Sequence, residues 1–180
     1  MKKSLPISVC IIISLALVLF GLAFGTVKGF GDDKEQVTKL LSGENGLMDV
    51  LSYRGADGHN LCVVANRHLA DDPDVAALKQ IATTLTDDTQ PLDSKKAAND
   101  QLDTTVQLVK AKLLETESFT QSHRDQQYLA MLEGDLKNLT GTDKVNLYNQ
   151  AAQGFNDQLS KGFPGWIATV LGVKPCELYQ

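Results

Sequence analysis

Between Lys3 and Lys28 the chain runs for 24 residues, Ser4 to Val27, without a charge, and its centre, Ile11 to Phe20, is apolar apart from Ser14. As a helix such a run reaches about 36 Å, more than the ~30 Å hydrocarbon layer of a bilayer. A helix also satisfies its own backbone polar groups, which lipid cannot do. A cleaved signal peptide is the competing reading: a basic start, an apolar stretch, then Ala23-Phe24-Gly25 as a small-x-small site among Gly21, Gly25, Gly29 and Gly31. The run exceeds the usual signal core of about 7–15 residues, which favours a retained anchor. Cys10 lies inside the run rather than after it, so it reads as a thiol within the membrane. Lys2 and Lys3 favour a cytoplasmic N-terminus, whereas Lys28, Lys34 and Lys39 beyond the run reduce the contrast.

Charge separates the two ends of the chain. Three of the 17 basic residues and none of the 22 acidic ones fall within residues 1–31, so the remainder carries 14 against 22. A domain that acidic repels phosphate backbones, and nucleic acid is not an expected partner.

Beyond the anchor, the apolar periodicity is helical and no sustained period-two alternation occurs. Gly29-Phe30-Gly31-Asp32-Asp33 reads as a break, a short helix is expected near Glu35–Leu41, and Ser42 to Gly46 interrupts again. A first long helix is expected from Leu47 to Leu69, with Gly55 and Gly58 inviting a kink. Asp72-Pro73-Asp74 supplies an N-cap carboxylate and a first-turn proline. Val75, Leu78, Ala82 and Leu85 then follow at 3-4-3 spacing. Asp87 to Pro91 breaks the pattern, which resumes with Ala98, Leu102, Val106, Val109 and Leu113. A third long element carries Leu129, Leu132, Leu136 and Leu139, then Val145, Tyr148, Ala152, Phe155 and Leu159, with the phase slipping at Thr140-Gly141-Thr142. Narrow apolar stripes joined by short polar turns predict an all-α fold: an antiparallel bundle of three to four long helices behind one N-terminal transmembrane helix. The expected division is 1–28 anchor, 29–46 linker, 47–175 bundle and 176–180 tail.

The C-terminal third contains an ordered series: Glu117-Ser118-Phe119, Leu139-Thr140-Gly141-Thr142-Asp143, Tyr148-Asn149-Gln150-Ala151, Phe155-Asn156, and Phe163-Pro164 with Leu171-Gly172-Val173-Lys174-Pro175. Together with Ala98-Asn99-Asp100-Gln101-Leu102 upstream, and with Arg54, Asn60 and Leu61, this series resembles the LemA family. The resemblance covers roughly Arg54 to Pro175. It implies an antiparallel α-bundle behind one membrane helix in a bacterial cell membrane, single-pass, while Lys2 and Lys3 favour placing the helical domain outside the cytoplasm. It implies no catalytic residues, since the family has no established set.

Candidate chemistry is sparse. His59, His68 and His123 show no metal-ligand spacing, and zinc needs three or four convergent ligands. Asp71-Asp72-x-Asp74 and Asp87-Asp88 lack the glycine and terminal glutamate of a calcium loop, and read as a helix cap and a solvated turn. Neither a G-x-S-x-G elbow nor a catalytic-cysteine signature occurs. No cofactor or metal is therefore expected, and the chain does not read as an enzyme. In an oxidising compartment Cys62 and Cys176 either pair or remain a packed thiol and a tail thiol, with Cα separation deciding. The apolar segment Phe163 to Leu171 holds the single tryptophan. Either it folds back and plugs one end of the bundle, or Phe163, Pro164, Trp166, Ile167, Val170 and Leu171 form a docking patch for a partner or a bilayer. The leading expectation is a non-enzymatic, membrane-anchored interaction or scaffold module that meets the bilayer through its N-terminal helix and an unidentified protein partner. The alternatives are a secreted or anchored ligand-binding bundle and an accessory factor to a membrane protease.

Overall fold

The computed structural model describes residues 6–180, and Lys2 and Lys3, which carry the orientation argument, lie outside the described residues. Among those residues the chain is all-helical and contains no strand. The elements are α1 (Ile7–Ser42), α2 (Leu47–Ala65), α3 (Pro73–Thr86), α4 (Leu92–Glu115), α5 (Glu117–Thr120), α6 (His123–Asn138), α7 (Thr142–Ser160) and α8 (Gly162–Val170). α1 is long and apolar enough to cross a membrane, a property shared by membrane spans and signal sequences. The expected break at Gly29–Asp33 does not occur. Glycine lowers helix propensity by about 1 kcal/mol, but it removes no backbone donor, so the i→i−4 ladder continues to Ser42.

The chain divides into two compact units. The first comprises residues 1–38 and 150–177, the second residues 39–149 and 178–180. In the second unit α2 packs on α3, α4 and α6, and α3 packs on α4. The predicted stripes form its core: Val75, Leu78, Ala82 and Leu85 of α3, and Leu102, Val106, Val109 and Leu113 of α4, are all buried. Burying each such side chain contributes about 1.5–3 kcal/mol.

Three local devices shape this unit. Asp72 caps α3, accepting from the Asp74 N–H at 2.8 Å, with Pro73 in the first turn. Gly55 and Gly58 do not kink α2; they let α3 approach it closely. A Cβ on Gly55 would stand 2.9 Å from both the Ala82 carbonyl oxygen and the Leu85 Cβ. The phase slip at Thr140–Thr142 is a true break between α6 and α7, with Gly141 at φ +69° before α7 begins. α2 itself ends at Ala65, four residues before the expected Leu69, because Arg67 and His68 turn away to partners described below.

Candidate functional site

α8 is opened and closed by glycines. Gly162 turns the chain at φ +68° and Pro164 follows in the first turn. At the other end Gly172, at φ +98°, forms a Schellman closure: Val173 N–H donates to the Ala168 carbonyl at 2.9 Å and Gly172 N–H to the Thr169 carbonyl at 3.1 Å. The inner face consists of small residues. A Cβ at Gly165 would collide with the Leu159 carbonyl of α7, and Ala168 is fully buried. The outer face is large and apolar: Phe163 is 64% exposed, Trp166 61%, Val170 64% and Leu171 53%. Phe163 stacks on Trp166 with ring centroids 5.8 Å apart. Pro164 is exposed too, and Ile167 is half-buried. Gly165 and Ala168 seat the helix against α7, where only small side chains fit, and the bulky ones are left outside.

The same unit contains the apolar half of α1. Ile11, Leu15, Val18, Phe20 and Phe24 are all exposed, leaving a continuous apolar rod uncovered by the chain itself. Just past this rod the unit is tied together. Phe30 meets Phe155 of α7 edge-on at 6.1 Å, and the Lys34 ammonium donates to the Lys174 carbonyl at 2.9 Å. Phe30 lies three residues beyond Val27, about 4.5 Å along the helix axis.

Cys62 and Cys176 are not joined; both are free thiols. Cys62 is buried and its Sγ faces the Val75 carbonyl at 3.7 Å. Burial pushes its pKa up to about 11, and burial also raises that of Cys176. Neither is a poised nucleophile. Asp72 and Asp74 both pair with Lys112, at 2.8 and 2.6 Å, and Asp87 accepts from Thr89 and Gln90 within its own turn. No group of three His, Cys, Asp or Glu residues is placed to hold a metal ion among the described residues.

Two polar clusters, both in the second unit, carried little signal in the sequence. Arg54 of α2 is 2% exposed and spends its whole fork: Nε donates to Asn99 Oδ1 at 2.8 Å, Nη2 to Asp103 at 2.7 Å, and Nη1 to the Leu136 and Leu139 carbonyls at 3.0 and 3.1 Å. One guanidinium thus joins α2 to α4 and closes the C-terminal end of α6, where a cation also suits the helix dipole. The clue was Arg54 standing in phase on the apolar stripe Leu47, Leu51, Gly58, Leu61. In the second cluster His68 meets Asp125 Oδ2 through Nε2 at 2.8 Å and Ser118 Oγ through Nδ1 at 2.9 Å, while Arg67 reaches Asp125 Oδ1 at 2.6 Å. The hydrogen bond from His68, then Ser122 and Arg67, hold the Asp125 carboxyl below the usual carboxylate range. The connectivity is that of a serine–imidazole–carboxylate relay. Here Asp125 is shared with Arg67, and His68 edges against the Phe119 ring at 5.4 Å. The cluster fastens the α2–α3 connection to α5 and α6.

No protein-family model matches the chain, and no curated protein or solved structure is significantly similar to it. Any functional reading therefore rests on the chain's own geometry.

Proposed function

We propose that this chain is a single-pass, membrane-anchored interaction module without enzymatic activity. In this reading α1 crosses the bilayer, the later helices form an antiparallel bundle, and α8 lies in the interfacial layer. The observation that carries it is the outer face of α8, aromatic and unpartnered, in the same unit as the bare apolar rod of α1. Tryptophan and its stacked phenylalanine suit a headgroup layer, where an apolar ring body meets polar surroundings. Retention of α1 is supported by the length of its uncharged run, Ser4 to Val27, which exceeds a signal core of about 7–15 residues. The motif resemblance to the LemA family and its implied bacterial membrane location point the same way, and Lys2 and Lys3 favour the helical domain outside the cytoplasm.

A protein partner is proposed for the second unit, where a groove between α2 and α6 of about 240 Å³ is lined by Val63, Arg67, Arg124, Tyr128 and Met131. Arg124 lies over the Tyr128 ring at 5.5 Å, and Met131 is half exposed. Arginine, tyrosine and methionine are the residue types enriched at protein contacts.

The single tryptophan makes the test direct. In full-length protein reconstituted into vesicles, Trp166 emission is expected to be quenched by lipids brominated near the headgroup and only weakly by aqueous iodide. Strong iodide quenching with no effect of brominated lipid would remove the interfacial role.

A further inference from the structure

Two asparagines of α7, Asn149 and Asn156, each hold a stretch of backbone that has no secondary structure of its own. In the second unit, Asn149 Nδ2 donates to the Tyr179 carbonyl at 2.7 Å while its Oδ1 accepts from the Tyr179 N–H at 2.8 Å. In the first unit, Asn156 treats Cys176 in the same way, at 2.8 and 2.7 Å. A carboxamide offers one donor and one acceptor side by side, as a neighbouring β-strand does. Each asparagine therefore replaces a strand partner and selects extended chain whatever its side chains.

Side-chain selectivity comes from Tyr179. It is 4% exposed within the second unit, and its hydroxyl is enclosed beside Asn99 without a well-formed hydrogen bond. Burial pushes that hydroxyl to about 12. Two-point backbone clasps give affinity for extended chain and a pocketed side chain gives selectivity, the combination by which folded domains bind short peptides.

We propose that the Asn149 clasp with its tyrosine socket is a peptide-binding site for extended chain bearing a tyrosine at the clasped position, and that the chain's own segment Leu178–Gln180 is its built-in occupant. The segment is a ligand carried in cis, and it leaves the site without unfolding the helices around it.

The test uses the full chain in detergent with a protease site inserted after Val173. After cutting and dialysis, a dye-labelled peptide of residues 173–180 is expected to bind saturably by fluorescence polarisation. The uncut protein should bind it at least tenfold more weakly, because its site is filled. Tyr179→Ala in the peptide, or Asn149→Ala in the cut protein, should each weaken binding at least tenfold. A cut protein that keeps its helical circular dichroism but binds no peptide overturns the proposal, as does equal binding of the Tyr179→Ala peptide. Should cutting unfold the protein, native-state hydrogen exchange on the uncut chain decides. Local exchange of the Tyr179 amide, faster than that of Leu102 and Val106, supports a releasable occupant; exchange only through global unfolding overturns it.

Discussion

Arg54 shows how much one side chain can hold. Its removal leaves the Leu136 and Leu139 carbonyls without their donor at a buried site, so Arg54→Met is expected to cost about 2–4 kcal/mol, read as a lower urea midpoint. Arg54→Lys should recover little of that, since a point ammonium cannot serve Asn99, Asp103 and two carbonyls together. Glycines give an opposed pair. Gly55→Ala should lower the melting temperature, because the about 1 kcal/mol gained in helix propensity is outweighed by an overpacking cost of about 1–3 kcal/mol against α3. Gly134→Ala, with nothing within 4 Å of the new Cβ, should raise it. Asp125 supplies a pH dependence. Its carboxyl titrates lower in the folded chain than in the unfolded one, so its stabilisation is complete above the unfolded carboxylate pKa, about 3.9, and fades as pH falls through the folded value. Urea stabilities of wild type and Asp125→Asn should differ at neutral pH and converge in acid. Arg54 and Lys95 were both legible in part, as charged residues in phase with an apolar stripe. Lys95 is fully buried and donates to the Leu85 carbonyl at 2.6 Å, in the last turn of α3. What the sequence could not show was their partners, which lie 10 to 85 positions away.

Elements were read with uneven success, and the reasons are local. The start of α3 was legible because a cap carboxylate and a proline act within one turn. The α6–α7 break was legible as a phase slip, since a helix cannot shift its apolar stripe without interruption. Gly141 marks the spot: Gly141→Ala would force an L-residue to φ +69° and bring its Cβ to 3.0 Å from Val50 Cγ1. A loss of about 1–2 kcal/mol is expected, seen in the thermal midpoint. α1 was misjudged because glycine was treated as a stop, whereas it only weakens a helix. The segment 163–171 was apolar on either reading. Only the close seat of Gly165 on α7 showed which side faces outward. In a chain beginning at Thr26, loss of that outer face, as in Trp166→Ser with Phe163→Ser, should leave the melting temperature within a degree or two while weakening the remaining binding to vesicles.

For the whole molecule, the proposed anchoring turns on the bare apolar rod of α1. Full-length protein is expected to stay in the membrane pellet through carbonate extraction at high pH, while a chain beginning at Thr26 should appear in the supernatant. Recovery of the full-length protein in the supernatant would dismiss the anchor. By itself the sequence determined the helical class, the apolar leading segment, the α3, α4, α6 and α7 stripes and the acid excess, because periodicity, caps and charge act over one or two turns of chain. Only the tertiary structure decided which face of α8 is bare, how Arg54 and His68 are engaged, and that Asn149 and Asn156 of α7 hold the backbone of Tyr179 and Cys176. Those outcomes depend on distances between residues remote in sequence, and close packing sets such distances.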